Sequence, residues 1–381
     1  MLGWKERSRG ARRAGLAKVV GTGVITGSLV LGATTGAWAA TSVNAQVAKW
    51  EKRPTHIGVT VSPGPIPKKK TIAFVECSIQ ACVILGQYLK DATDALGWNL
   101  KIINAGSGAN PSTVSNAWTQ AVNLHPTAVI GTGFPRSIMN KQISQLAAAK
   151  IPVIMGSVAT TPGNGITATI NSIPSFTLYG KAMADYTTSK MGSSTSTHTL
   201  FVNTPGFPIV GTEYDGFKAE FGKVCSSCDL QTLTIPNADI GTSQVGSAVV
   251  GYLQSHHTVN ALAVGFATVA NGLPQALTAA GMANNIKVMV TQDTTQPYLG
   301  YIKANTLGAA TVEENWQEWM WRAVDLVIRK LNHKSIKPDT NATTVPLWIV
   351  NQQSAKGQST LDTSVPTYET QFKKLWGVKK K

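Results

Sequence analysis

At 381 residues and 40.3 kDa the chain is too long for one ordinary domain and suits two of about 150 residues with extensions. Hydrophobic residues make up 43% and mean hydropathy is zero, which excludes a largely disordered chain. The formal charge of +15 sits mostly in the first 39 residues, in Lys68–Lys70 and in the lysine tail, leaving +2 on the body, so charge alone does not make this a nucleic-acid reader.

The N-terminus is laid out for export. Lys5, Arg7, Arg9, Arg12, Arg13 and Lys18 precede an uncharged stretch over residues 19–48. Ala37-Trp38-Ala39 offers small residues where signal peptidase reads, predicting cleavage before Ala40. Arg12-Arg13 suits a twin-arginine signal or an ordinary secretory one. Five glycines between Gly21 and Gly36 disfavour an uncleaved anchor. Residues 40–70 contain Pro54, Pro63, Pro65 and Pro67 and read as an extended strap.

From Lys70 onward strands and helices alternate. Thr71–Glu76 is an apolar strand, and Leu85, Tyr88, Leu89, Ala92 and Leu96 mark a helix stopped by Gly97. Trp98–Ile103, Ala128–Ile130 and Ile151–Met155 read as further strands. Helices fall between them, with Val114 and Trp118 marking one and Ile143 and Leu146 the other. The pattern restarts at Thr199–Asn203 and continues through strands around Leu230–Ile235, Val259–Phe266, Ile286–Thr291 and Gly308–Val312. The helix after them carries Trp316, Met320, Ala323, Val324, Val327 and Leu331 on one side. The tail from Ser354 spaces Tyr368, Phe372, Leu375 and Trp376 as a short docked helix. Strands apolar throughout and joined by helices belong to parallel sheets covered on both faces. The expected fold is α/β, two doubly wound parallel-sheet lobes whose strand ends face each other across a cleft.

The four cysteines form two local pairs, Cys77/Cys82 and Cys225/Cys228, which in an exported chain favour two disulfides. Cys225-Ser226-Ser227-Cys228 also fits a redox or metal site, but zinc needs two more ligands and only His256-His257 is near in sequence. Neither metal nor cofactor is expected. The chain has no Gly-x-Ser-x-Gly elbow, no His-Glu-x-x-His pair and no phosphate loop, so no enzyme is expected.

Asp94-Ala95-Leu96-Gly97-Trp98, Ala149-Lys150-Ile151-Pro152-Val153-Ile154, Tyr214-Asp215-Gly216-Phe217 and Val290-Thr291-Gln292-Asp293 come in an order and spacing that resemble the sugar-type (type I) periplasmic binding proteins of ATP-driven importers. The likeness runs from about Thr71 to Val350. It implies a three-crossing hinge near Ser172, Val312 and Asn341, with lobe 1 at 71–172 plus 313–341 and lobe 2 at 173–312 plus 342–353. Residues 354–381 are then a basic C-terminal extension. It further implies an extracytoplasmic protein, a monomer, that captures a small polar, sugar-like ligand by hinge closure and delivers it to a membrane permease. A sensor subunit would share this fold, and a secreted hydrolase is the third reading.

The family's sugar contacts transfer only in part. Asp293 matches an Asp that contacts hydroxyls, and Glu314 stands where the family has Gln. Ser157-Val158 replaces an Asp-Arg pair, Ala267-Thr268 an Asn-Asp pair, and Cys77–Cys82 an asparagine-aromatic loop. Candidate ligand contacts are therefore Ser78, Gln80, Phe134, Ser157, Phe207, Thr268, Asp293, Glu313, Glu314 and Trp319. Several have a plainer alternative: Asp293 as a cap for the helix near Thr295, Glu313 and Glu314 as helix-dipole partners, the aromatics as packing. Trp316 is assigned to the core.

Overall fold

The structure is a computed structural model and describes residues 34–108, 110–313, 315–337, 346–358 and 365–378. The chain opens with α1 (Thr34–Trp50) and then runs through β1 (Thr71–Glu76), α2 (Gln80–Ala95), β2 (Asn99–Asn104), α3 (Pro111–Asn123), β3 (Ala128–Thr132), α4 (Asn140–Ala148), β4 (Val153–Gly156) and β5 (Ala168–Ile170). These five strands form one sheet in the order β2-β1-β3-β4-β5, every pair parallel. The alternation of β1 explains its two faces. Ile72 and Phe74 enter one core, and Ala73 and Val75 enter another beneath α3 and α4. Asn110 caps α3 by accepting from the Ser112 amide, with Pro111 in the first turn.

The second half continues with α5 (Ile173–Met191), β6 (His198–Asn203), α6 (Pro208–Val224), β7 (Asp229–Thr234), α7 (Ser243–Ser255), β8 (Ala261–Val264), α8 (Ala267–Ala270), α9 (Leu273–Ala279), β9 (Val288–Gln292), α10 (Gln296–Lys303) and β10 (Ala309–Glu313). There follow α11 (Trp316–Leu331), β11 (Trp348–Val350), α12 (Gln352–Ala355) and α13 (Tyr368–Leu375). The second sheet has the order β11-β10-β9-β8-β6-β7, parallel except for β11. Apart from that edge strand, the two sheets share one strand order. Helices α5 and α6 touch backbone to backbone: a Cβ on Gly180 would lie 1.9 Å from the Glu213 carbonyl oxygen, and one on Gly216 would lie 2.3 Å from that of Thr177. Only glycine permits so close a crossing.

Helix α11 leaves the second sheet and packs on the first. Every residue from Trp316 to Arg329 is buried, so the single apolar stripe expected from sequence understates its cover. The outer face is roofed by the N-terminal strap and by α13. The Arg329 guanidinium donates to the Val61 carbonyl, and the Asn332 amide to those of Pro63 and Pro65. Trp376 stacks on Trp321 with centroids 5.1 Å apart and donates its indole N–H to Asp325 at 2.7 Å. Charged residues inside the helix pair along it, Glu318 with Arg322 at 2.7 Å and Asp325 with Arg329 at 2.6 Å.

The strap over residues 40–70 is not extended throughout. Its first part lies in α1, which places Val43 and Val47 in the second lobe's core beside α5, while Ile57 and Ile66 belong to the first lobe's core. An uncharged run rich in Ala, Thr and Val supports helix once it has a surface to bury against. Both cysteine pairs are bonded, Cys77–Cys82 with Cα atoms 5.3 Å apart and Cys225–Cys228 with 5.4 Å. His256 stacks on Tyr252 at 3.9 Å, and no group of metal-holding side chains occurs among the described residues. No helix among them is long and apolar enough to cross a membrane. The third expected crossing, at Asn341, lies outside the described residues.

Candidate functional site

In a sheet of order 2-1-3-4-5 the chain leaves the first and third strands in opposite directions, opening a crevice at their carboxyl ends. Each lobe has such a crevice, at β1/β3 and at β6/β8, and the two face one another. Between them lies a cavity of about 70 Å³. From the first lobe it is lined by Ile79, Cys82 and Leu85 after β1, Thr132 and Gly133 around the end of β3, and Ser157 after β4. From the second come Phe207, Ile209 and Val210 after β6, Phe266 after β8, and Gln292 and Asp293 at the end of β9. Phe176 of α5 and Trp316 of α11 complete the wall where the chain passes between lobes.

The lobes nearly meet. A Cβ on Gly133 would lie 3.5 Å from the Phe207 ring, so the bare backbone of one lobe abuts an aromatic ring of the other. Phe207 is in turn held edge-on by Phe266, with centroids 5.9 Å apart. A cavity of about 150 Å³ is what benzene fills in a protein interior, so the cavity as it stands is smaller than a site for even a small ring.

Asp293 is the carboxylate of the cavity wall. It is 2% exposed and sits in the left-handed region at φ 61°, which turns its side chain away from the line of the strand. Its Oδ1 accepts from the Ala267 amide at 2.8 Å, at the start of α8. Thr295 caps α10 by itself, so the expected capping of that helix by Asp293 gives way to a bond that ties β9 to α8. Ser157 also has positive φ and donates its amide to the Asn171 carbonyl, which ties the residue after β4 to the residue after β5.

The remaining candidates distribute unevenly. Glu313 is buried at the end of β10, where Oε2 accepts from the Thr294 hydroxyl at 2.8 Å. Burial first, then the Glu313 and Asp91 carboxylates, push the Tyr88 phenol up to about 12. Glu314 lies outside the described residues, and Gln80 begins α2. Ser78 is exposed and donates its amide to the Gly106 carbonyl. Phe134 is buried in the first lobe's core, where it covers Gly108. Thr268 is buried in α8, and its hydroxyl has no hydrogen-bond partner among the described residues.

The two tryptophans exchange roles. Trp319, a candidate contact, is fully buried against Gly156, where only the missing side chain makes room for its ring. Trp316, assigned to the core, lines the cavity. Sequence reasoning also missed Phe176, Phe266, Gln292 and Thr132. Gln292 and Thr132 were findable as residues within two positions of the ends of predicted strands, Ile286–Thr291 and Ala128–Ile130. Phe176 was not, because its helix was not read at all.

A further buried acid stands beside the cleft. Glu76 ends β1, one residue before the Cys77–Cys82 loop, and tucks under α2 where Gly86 leaves space. It is 7% exposed, its Oε2 has no hydrogen-bond partner among the described residues, and desolvation raises its pKa to about 7. A folded-state value above the unfolded 4.5 means that the native state binds more protons between those limits, so Glu76 lowers stability as pH rises from 4.5 to 7. Glu76→Gln is expected to flatten this part of the stability–pH curve and to stabilise the protein above pH 7, measured by urea unfolding at stepped pH. An unchanged slope would mean that Glu76 is solvated.

Comparison with known proteins agrees with this geometry. A family model described as a periplasmic binding protein domain, Peripla_BP_4, matches residues 71–335. No curated protein sequence matches the chain. Among solved structures, a sugar transporter subunit from Rhodobacter sphaeroides 2.4.1 superimposes with a TM-score of 0.64 at 19% identity, covering 74% of this chain and 98% of that one. A solute-binding protein from Agrobacterium vitis, bound to alpha-D-tagatopyranose, gives 0.64 at 17% over 76% and 97%. A carbohydrate transporter from Acidothermus cellulolyticus 11B, in complex with myo-inositol, gives 0.62 at 18% over 80% and 99%.

Proposed function

The chain belongs to the periplasmic binding protein family, and from that premise we propose that it is an exported receptor which clamps a small molecule between its lobes and hands it to a membrane importer. The observation that carries the reading is the cavity at the carboxyl ends of both sheets, walled by residues of both lobes. A ligand touching both walls stabilises the closed arrangement over any open one, and a partner that reads the closed surface then reads occupancy. No reaction is assigned to the site. The protein works as a monomer, and its mature N-terminus is Ala40, within α1, which intact-mass measurement of the exported form checks.

The test joins two readouts on one sample. The exported protein is screened by thermal shift against pentoses, hexoses, polyols, amino acids and small amines, and each hit is followed by small-angle scattering. A ligand at a hundred times its dissociation constant is expected to add about 2.7 kcal/mol of native stability. The same ligand is expected to make the molecule more compact. Stabilisation without compaction would sink the clamp. Cells lacking the protein are expected to lose high-affinity uptake of that solute, and unchanged uptake would remove the importer.

A further inference from the structure

We infer that the outer end of the first lobe holds a second binding site, for a phosphate-bearing anion. The site lies at the amino ends of β3, β4 and β5, so the length of β3, about 16 Å, separates it from the cleft. Thr127, Pro152 and Thr167 directly precede those strands, and the ends of α4 and α11 close the sides. The cavity measures about 610 Å³, well above that of the cleft and within the range of small-molecule sites.

Its chemistry is one-sided. Lys150, Lys330 and His333 line it, and no lining residue is Asp or Glu. None of these three basic side chains has a hydrogen-bond or ion-pair partner among the described residues. The Lys68–Lys70 run adds charge to the same end of the lobe. It leads into Thr71, whose amide donates to Thr127 Oγ1 at 3.2 Å and whose carbonyl accepts from the Thr127 amide at 2.8 Å. A concave surface carrying one sign of charge concentrates counter-ions of the other.

Basic side chains at a helix end ordinarily answer the macrodipole or bond the last carbonyls. Here those carbonyls are taken. In α4 the Gln145, Leu146 and Ala147 carbonyls accept from the Ala149, Ile151 and Lys150 amides. In α11 those of Ile328, Arg329 and Lys330 accept from the Asn332, Lys334 and His333 amides. Lys150 and His333 also hold the left-handed turn after each helix, at φ 57° and 52°, where glycine is the ordinary residue. Hydroxyls complete the donor set. Thr127 Oγ1 accepts from the Thr71 amide and Thr167 Oγ1 from the Val153 amide at 3.2 Å, and neither donates to a described residue. With one lone pair so engaged, each hydroxyl keeps its proton for an incoming acceptor. A phosphoryl group brings negative charge and several acceptor oxygens, which suits basic groups from two helix ends and hydroxyls from two strand starts. A soluble phosphate ester and a phospholipid headgroup share this chemistry.

The exported chain is titrated calorimetrically with inorganic phosphate and glycerol 3-phosphate, and sedimented with vesicles of phosphatidylglycerol or of phosphatidylcholine. Saturable binding of a soluble phosphate, or binding to the phosphatidylglycerol vesicles alone, is expected, and the arm that responds names the source. The variant Lys150→Gln/Lys330→Gln/His333→Gln is expected to bind the same probe roughly tenfold or more weaker, as the loss of charge-assisted bonds implies. All three side chains are exposed, so its melting temperature is expected to hold, and Lys330→Gln alone takes its place if it does not. Lys141→Gln/Lys218→Gln removes two exposed lysines elsewhere and is expected to bind as the parent does. The site is overturned by absence of binding in every arm or by equal binding of the triple variant and the parent. An equal loss in the Lys141→Gln/Lys218→Gln variant would overturn it too, since net charge would then account for the binding.

Discussion

Arg322→Met is expected to cost about 3–5 kcal/mol of stability, because it strands the Glu318 carboxylate in a site closed to water. Both side chains have zero exposure, and the guanidinium reaches Glu318 Oε1 through Nε at 3.1 Å and Nη2 at 2.7 Å. The attraction between such a pair roughly repays its desolvation, so the loss comes from the charge left behind. The double variant Glu318→Leu/Arg322→Met is accordingly expected to recover most of the deficit. Urea unfolding followed by circular dichroism reads both. A single variant within about 1 kcal/mol of the parent would mean that the carboxylate finds water, as exposed pairs do.

Trp376→Ala is expected to destabilise by a comparable amount, about 3–5 kcal/mol, the range for removing a large buried aromatic. The residue lies beyond the last strand and beyond the region matched by the family, at the end of α13. Yet it is 3% exposed, stacks on Trp321 and donates to Asp325, which is itself committed to Arg329. Trp376→Phe keeps most of the apolar surface and loses the N–H, for which about 1–3 kcal/mol is expected. Thermal unfolding separates the three proteins. If alanine is tolerated, α13 is a loose appendage and the first lobe's core ends at α11.

How much of this was legible depended on burial pattern. The strands came through because a parallel strand covered on both faces is a short apolar run, as in Phe74-Val75 or Leu262-Ala263-Val264. Helices with one buried face, such as α3 with Val114, Trp118 and Ala121, came through on their period. Helix α5 did not. Its buried positions run from Ser175 to Thr188 around most of its circumference, with threonines and glycine among them, so no stripe stands out. The three-residue strands β5 and β11 are too short to show a pattern.

The same effect hid part of the candidate site. In α11 both Trp316 and Trp319 are enclosed, and periodicity says nothing about which end of an enclosed helix opens on the cleft. What distinguishes Trp316 is its place just after β10, at the carboxyl edge of the sheet. Asp293 and Ser157 were readable for that reason, as residues directly following strands. Phe176 and Phe266 join them only through the facing of two lobes, which no local window contains.

The chain ends have a mechanical consequence. Glu51 is moored to the second lobe through the Trp348 indole and the Asn351 amide, and Arg53 lies over the Trp348 ring at 4.9 Å. Thr55 and Ile57 are moored to the first lobe through Gln371 of α13. Four chain steps, at most about 14 Å when taut, join the two moorings. On the clamp reading proposed above, this N-terminal tether adds to the interlobe crossings and limits how far the lobes part unless a mooring gives way. In a protein that closes on its ligand, a short leash trims the entropy of the open ensemble and leaves less of the binding free energy to be spent on shutting it. Lengthening residues 52–54 with a glycine-serine insert is expected to swell the unliganded molecule in solution scattering and to weaken ligand capture; unchanged dimensions would mean that the leash is slack.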